Sequence, residues 1–221
     1  MKIYLCNYAN ENFLNKQSEL NEIERSVKEF DGVFLYNEDW LKETEFYKNN
    51  YFILSQQRGA GYWLWKPYII LESLKQIEYG DAIFYIDSGD RYSSGIRQEL
   101  INHLEYNNEC LVPGGFINEM YTKMDCFYYM DCLDEKYFKS VQLEAGTVAF
   151  KKTEKSINLL NEWIYYCKDY KVLTDSNNEC GMLNKINFID HRHDQSILTN
   201  LAIKHGMSLN KNLRKYIINN V

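Results

Sequence analysis

Ala82-Ile83-Phe84-Tyr85-Ile86-Asp87-Ser88-Gly89-Asp90 is an apolar run followed at once by two carboxylates three positions apart. A short run with no polar alternation reads as a strand buried on both faces, the signature of a parallel sheet covered by helices. Tyr79-Gly80-Asp81 supplies the turn before it. In open α/β sheets ligands gather beyond the carboxyl ends of the strands. Asp87 and Asp90 therefore belong where chemistry is expected. Ser88-Gly89 lets the backbone turn tightly and leaves room for a ligand. Two acids on a bend suit a hard divalent cation, which in turn neutralises a diphosphate. Ordinary turn chemistry accounts for the same residue types, so the stretch needs support from elsewhere.

Working outward, strands and helices alternate. Lys2–Tyr8 reads as a buried first strand and Val33–Tyr36 as a second. Glu19–Phe30 reads as an amphipathic helix, with Leu20, Ile23, Val27 and Phe30 at helical spacing. Asn37–Gln57 reads as helical in pieces. A helix is expected from near Gly61 to Ile77, with Pro67 tolerated near its start. Ser93–Tyr106 reads as a helix, and Cys110–Val112 as a short strand stopped by Pro113-Gly114-Gly115. Phe116–Gln142 gives no clear pattern. Thr147–Phe150 reads as a strand and Thr153–Cys167 as a helix capped by Thr153. Asp169–Asp190 is polar and loop-like, and Asp194–His205 is a last amphipathic helix. The alternation predicts a single α/β domain over residues 1–221, a mostly parallel, Rossmann-like sheet flanked by helices.

Composition narrows the function. The chain has 221 residues, 45% of them hydrophobic and only two prolines, which suits one core-forming domain and excludes collagenous or low-complexity chains. A net charge of −6 argues against wholesale binding of nucleic acid. No signal peptide is read at the start, and no window approaches the roughly 18 apolar residues of a membrane span. Six cysteines without CxxC spacing read as reduced thiols of a cytoplasmic protein, Cys126 and Cys132 matching no zinc signature. After Asp194 the charged residues are all basic: Lys204, Lys211, Arg214 and Lys215. That tail reads as a solvated helix, or as a weak tether to an anionic substrate or to lipid head groups, giving at most peripheral membrane contact.

Three further segments hold residues able to do chemistry. Arg58-Gly59-Ala60-Gly61-Tyr62-Trp63-Leu64-Trp65-Lys66-Pro67 packs glycines, two tryptophans and two cations just before a helix. Glycines and cations beside a helix start favour anions, and the rings suit stacking on a base or sugar. Core packing explains the apolar residues but neither Arg58 nor Lys66. The spacing matches no Walker loop or dinucleotide fingerprint. Glu144-Ala145-Gly146-Thr147 puts a carboxylate ahead of small residues that begin a strand. His191-Arg192-His193-Asp194-Gln195 puts His, Asp and Gln at a helix start, where Asp194 also fits as an N-cap.

The order of these segments resembles small nucleotide-sugar glycosyltransferases of the GT-A fold. It looks most like bacterial and viral polysaccharide glycosyltransferases carrying an RGxGYWxWKP segment. The resemblance spans roughly Lys2 to Gly206. It implies transfer of a sugar from a nucleoside-diphosphate sugar to a glycan or lipid-linked glycan hydroxyl. In GT-A enzymes an Asp-x-Asp element holds ribose and Mn²⁺ or Mg²⁺. Asp87 matches its first position, Gly89 departs at the third, and Asp90 stands one residue late. The resemblance likewise implies donor contact for Lys66 and Arg58, and a place beside the transferred sugar for Glu144 and Asp194-Gln195. His193 or His205 would complete a metal shell with Asp87 and Asp90. Asn7-Tyr8 would border the nucleotide base, and Ser88-Gly89 the donor.

For an inverting transfer, Glu144 or Asp194 is the expected general base; for a retaining one, Gln195 or Asp194 would face the oxocarbenium ion. A sugar-nucleotide or glycan-binding module without catalysis is the alternative. A nucleotidyltransferase is disfavoured, because Cys6-Asn7-Tyr8-Ala9-Asn10 lacks glycine and cation.

Overall fold

The computed structural model describes residues 1–219. Its strands are β1 (Ile3–Ala9), β2 (Val33–Asn37), β3 (Ala82–Ile86), β4 (Asp90–Tyr92), β5 (Glu109–Ile117), β6 (Val141–Lys151) and β7 (Ile217–Asn219). Five of them form one sheet in the order β2-β1-β3-β6-β5, while β4 and β7 pair separately. β1 runs parallel to β2 and β3, and β6 runs antiparallel to β3 and β5. Only β6 is reversed, so the sheet is the mostly parallel one expected.

The β3 run is apolar throughout because both of its faces are covered. Ile83 and Tyr85 pack with residues of the helices Trp65–Lys75, Glu154–Cys167 and His193–Lys204. Ala82, Phe84 and Ile86 pack on the other side with Leu20 of helix Leu14–Val27 and with Ile96 and Leu100 of helix Ile96–Leu104. Each fully buried aliphatic or aromatic side chain is worth about 1.5–3 kcal/mol. Two such layers hold β3 rigidly and so fix where Asp87 emerges.

Several boundaries differ from the sequence reading. The first helix spans Leu14–Val27 and ends where Lys28 turns left-handed, its N–H bonded to the Glu24 carbonyl. Val27 is exposed, and Phe30 reaches the core from beyond the helix. Pro113-Gly114-Gly115 does not stop β5, which passes through them to Ile117 with two register shifts against β6. β6 begins at Val141, six residues before the expected start. The helix expected from Gly61 starts at Trp65.

Two features position the site. Because β6 is reversed, its early part lies at the rim where the parallel strands end: Thr147 opposes Ile86 and Glu144 opposes Val112. The basic tail is not a solvated helix. Leu213–Tyr216 make one tight turn, and β7 then pairs antiparallel with β4, Ile218 opposite Arg91. The tail thus returns to the bend that bears Asp90. Among the described residues no helix is long and apolar enough to cross a membrane, and all six cysteines are free.

Candidate active site

The Asp87–Asp90 bend is tied down at every step. The Asp87 N–H donates to the Gly146 carbonyl at 2.8 Å, and the Asp90 N–H to the Asp87 carbonyl at 3.0 Å. Ser88 Oγ donates to Asn7 Oδ1 at 2.9 Å. Buried Arg91 donates to the carbonyls of Ser88 and Asp90, at 2.9 and 2.8 Å. Gly146 is required here, since a Cβ would stand 2.8 Å from Asp87 Oδ2 and 3.8 Å from Asp90 Oδ2. Both carboxylates therefore crowd one spot over β6. Burial, reinforced by the Asp87 charge, pushes the Asp90 carboxyl up to about 6.

Lys66 stands directly behind this bend. Its Nζ lies 3.3 Å from Asp87 Oδ1 and 3.5 Å from Asp194 Oδ2, with the lysine side chain 3% exposed. Burial works to lower the Lys66 pKa, but the Asp194 and Asp87 carboxylates outweigh it, and the net shift is upward. Asp194 is pushed up to about 6 by burial, with Asp87 adding repulsion and Lys66 opposing. The two shifts do not conflict: Lys66 has two counter-charges, whereas Asp194 shares its one cation. Tyr85 donates its hydroxyl to Asp87 Oδ1, which holds that carboxylate from a second side.

These contacts revise several expectations. Asp194 is not the N-cap of its helix; Arg192 precedes the helix, and no side-chain cap bond forms. The Asp194 side chain points instead at Lys66, and its Oδ2 is buried without a hydrogen bond. Lys66 does not line the cleft described below and reaches it only through its contact with Asp87. Asn7 is wholly buried, its amide donating to Ile86 O and its oxygen accepting from Gln17 and Ser88. It supports the bend and does not line the cleft described below. Gln195 is spent too: its Oε1 accepts from Ala145 N–H at 3.1 Å and its Nε2 donates to Gln142 Oε1 at 3.1 Å.

Arg58 and His193 belong to a different cluster. Arg58 Nε donates to His193 Nε2 at 2.9 Å, and the guanidinium pairs with Asp175 at 3.1 Å and Asp190 at 3.2 Å. His193 Nδ1 contacts the Leu173 carbonyl at 2.8 Å. Burial lowers the His193 pKa, which favours a neutral ring with Nδ1–H donating and Nε2 accepting. Both ring nitrogens are engaged, so His193 does not join Asp87 and Asp90 in a metal shell. His205 pairs with Glu162 at 2.7 Å and does not join it either. Arg58 likewise does not line the cleft described below.

Between these clusters lies an unusual turn. Gly59, Ala60, Gly61, Tyr62 and Trp63 all have positive φ, between 50° and 95°. For Ala60, Tyr62 and Trp63 this costs about 1–2 kcal/mol each, and such strain clusters at functional sites. The turn is held by bonds such as Tyr62 N–H to Arg58 O at 2.7 Å and Trp65 Nε1 to Gly59 O at 3.0 Å. Its result is to aim Trp63 and Trp65 inward. Trp63 stacks on His193 at 5.4 Å between centroids, and Trp65 stacks on Tyr8 at 3.9 Å.

A cleft of about 480 Å³ opens at this point, lined by Tyr8, Asn10, Gly59, Ala60, Trp63, Trp65, Tyr85 and Asp87–Asp90. The aromatic platform and the carboxylate bend both line it, joined by Tyr85, whose ring lies 6.4 Å from Trp65 and whose hydroxyl donates to Asp87. Glu144 is near enough to Asp90 to act on its charge, and is partly exposed and paired with Arg214 from the C-terminal turn. Arg214 also bears on Asp90, whose carboxyl it opposes in charge. Arg214 was legible in the sequence only as one basic residue of a tail. Among the described residues no group of three or more His, Cys, Asp or Glu side chains is poised to hold a metal. Asp87 and Asp90 are the two carboxylates here that would suit a hard divalent ion.

No family model matches the chain. No curated protein matches it either. Solved structures do share its fold. A glycosyltransferase involved in glycosylation of the major capsid of PBCV-1 superposes with a TM-score of 0.50 at 10% identity, over 96% of this chain and 82% of that one. The WbbM bifunctional glycosyltransferase superposes with a TM-score of 0.51 at 13% identity, over 90% of this chain but 37% of that one. The architecture is thus that of GT-A-type glycosyltransferases.

Proposed function

We propose that the chain transfers a glycosyl unit from a nucleoside-diphosphate sugar to a hydroxyl of a glycan or lipid-linked glycan. One observation carries the reading: a single cleft is lined both by a stacked aromatic platform and by two adjoining carboxylates, Asp87 and Asp90. The platform of Tyr8 and Trp65 suits a flat nucleobase or a sugar face. A diphosphate does not rest against two carboxylates unless a cation bridges them. Asp87 and Asp90 would hold Mn²⁺ or Mg²⁺, which when bound supplies positive charge against the departing diphosphate.

The chain's own residues do the rest. Lys66 and Tyr85 hold Asp87 in place at the cleft. Arg214 reaches the same carboxylate bend and suits a phosphate oxygen. Of the carboxylates expected to act as base, Asp194 is buried against Lys66, whereas Glu144 is partly exposed and near Asp90. Glu144 is therefore the base of this reading, released when Arg214 turns to the donor. The RGxGYWxWKP segment shapes the platform and keeps Trp63 in the cleft wall.

Incubation with a panel of UDP-, GDP- and dTDP-sugars, with Mn²⁺, Mg²⁺ or chelator, tests this. Release of nucleoside diphosphate from one donor, lost with chelator and with Asp87→Asn, is expected. Tight binding without release makes the chain a sugar-nucleotide-binding module instead. The reading is overturned if no donor either binds or turns over.

A further inference from the structure

On the far side of the left-handed turn lies a second cleft, about 870 Å³ in volume. We propose that this cleft binds the part of an oligosaccharide acceptor remote from the reacting hydroxyl. The inference rests on the glycosyltransferase reading and adds to it the place and length-dependence of acceptor recognition. The two clefts share one wall. Gly59, Ala60 and Trp63 line the first, Arg58 and His191 the second, and Trp63 stacked on His193 stands between them. A ligand in the second cleft is one ring layer from the donor cleft.

The chemistry of the second cleft suits a glycan. Asp175 and Asp190 share the single Arg58 guanidinium, which neutralises part of their charge yet leaves both partly exposed. Half-satisfied carboxylates accept pairs of sugar hydroxyls. Asn177 adds a free amide, and Phe188 and Met182 offer apolar surface to the C–H faces of a sugar ring.

The wall is also built to stay in place, although residues 174–192 contain no helix or strand. The Asp125 carboxylate, fully buried, accepts the backbone N–H groups of Glu179 and Cys180 at 2.9–3.0 Å. Buried Lys123 donates to the carbonyls of Thr174 and Ser176. Asn184 Oδ1 accepts from Met124 N–H at 2.7 Å. A long loop without regular structure that is pinned by buried charges is pre-organised, and long loops of that kind are commonly functional. The pinned loop nevertheless leaves Leu183 90% exposed at the cleft.

Asn177→Trp and Leu183→Asp test the proposal, because neither residue touches the donor cleft. Two readouts are taken: binding to an array of neutral, uronic-acid and amino-sugar oligosaccharides with their monosaccharides, and donor hydrolysis without acceptor. Wild type is expected to bind a subset of the oligosaccharides. Both variants should lose that binding or raise the acceptor KM at least tenfold, with donor hydrolysis unchanged and monosaccharide acceptors unaffected. Equal loss on monosaccharides, or unchanged binding of the oligosaccharides, overturns the acceptor cleft. Absence of donor turnover in wild type tells against the glycosyltransferase reading, and array binding abolished by Asn177→Trp would still establish the cleft as a glycan site.

Discussion

Lys66 is held between Asp87 and Asp194 and lies almost wholly out of water, so its removal reaches the fold as well as the chemistry. Breaking a buried ion pair by deleting one partner costs about 3–5 kcal/mol, because the remaining charge is stranded. Lys66→Ala is expected to destabilise on that scale in urea denaturation and to abolish transfer. Lys66→Met combined with Asp194→Asn removes both buried charges and should recover most of the stability but none of the transfer. Recovery of transfer in the double variant would remove Lys66 from the site. Asp194 also predicts a pH dependence. Its folded pKa, about 6, lies above the usual carboxyl value of 3.8. The folded state therefore binds more protons than the unfolded chain between those values, and stability falls as pH rises from about 4 through about 6. Asp90, also pushed up to about 6, adds to the same window, so denaturation midpoints should show this slope, Asp194→Asn should reduce it, and Asp194→Asn combined with Asp90→Asn should flatten it.

The left-handed turn of residues 59–63 is the element in which sequence and structure part most sharply. Gly-Ala-Gly-Tyr-Trp ahead of a helical pattern reads as a helix start, since Ala, Tyr and Trp rarely adopt positive φ. Local hydrogen bonds close it, and residues far off in sequence hold it there, His193 against Tyr62 and Trp63 and Tyr8 against Trp65. Gly61 needs its glycine twice over: φ is 95°, and a Cβ would lie 2.5 Å from the Leu54 Cα. Gly61→Ala is expected to lower the melting temperature by several degrees and to displace Trp63, read as a change in tryptophan fluorescence.

The same logic explains what was legible. The β3 run, with both faces buried, and the carboxylates after it could be read locally, as could the Thr153 cap, whose hydroxyl accepts from Ser156 N–H. The direction of β6 could not, because strand polarity is set by non-local pairing. Nor could the partners of Arg58, since Asp175 and Asp190 lie in a loop more than a hundred residues away.

At the scale of the molecule, the C-terminal turn brings the one arginine that opposes Asp90. A chain of net charge −6 with two carboxylates in its cleft repels an anionic donor in general, so a cation at that end matters more than its contact distance suggests. The Arg214–Glu144 pair is partly exposed on both sides. Such pairs contribute about 0–1 kcal/mol to stability. Leu213, by contrast, is wholly buried in the core beside it and anchors the turn whether or not the arginine is present. Arg214→Met keeps the length and apolar stem of the side chain while removing its charge. It should therefore melt close to wild type. Donor KM should rise by about tenfold, the scale of one lost charge-assisted hydrogen bond of about 1.5 kcal/mol. Salt provides the independent check, because an electrostatic attraction is screened as ionic strength rises. Wild-type kcat/KM for the donor should fall with added NaCl, and the variant should show a shallower fall. Parallel salt curves, or a melting point lowered as far as by Leu213→Ala, would make Arg214 a structural clasp for the tail. Glu144 would then be unpaired in the variant with no gain or loss in donor capture. Its own role would rest on Glu144→Gln, for which a loss of at least about a hundredfold in kcat is expected of a general base.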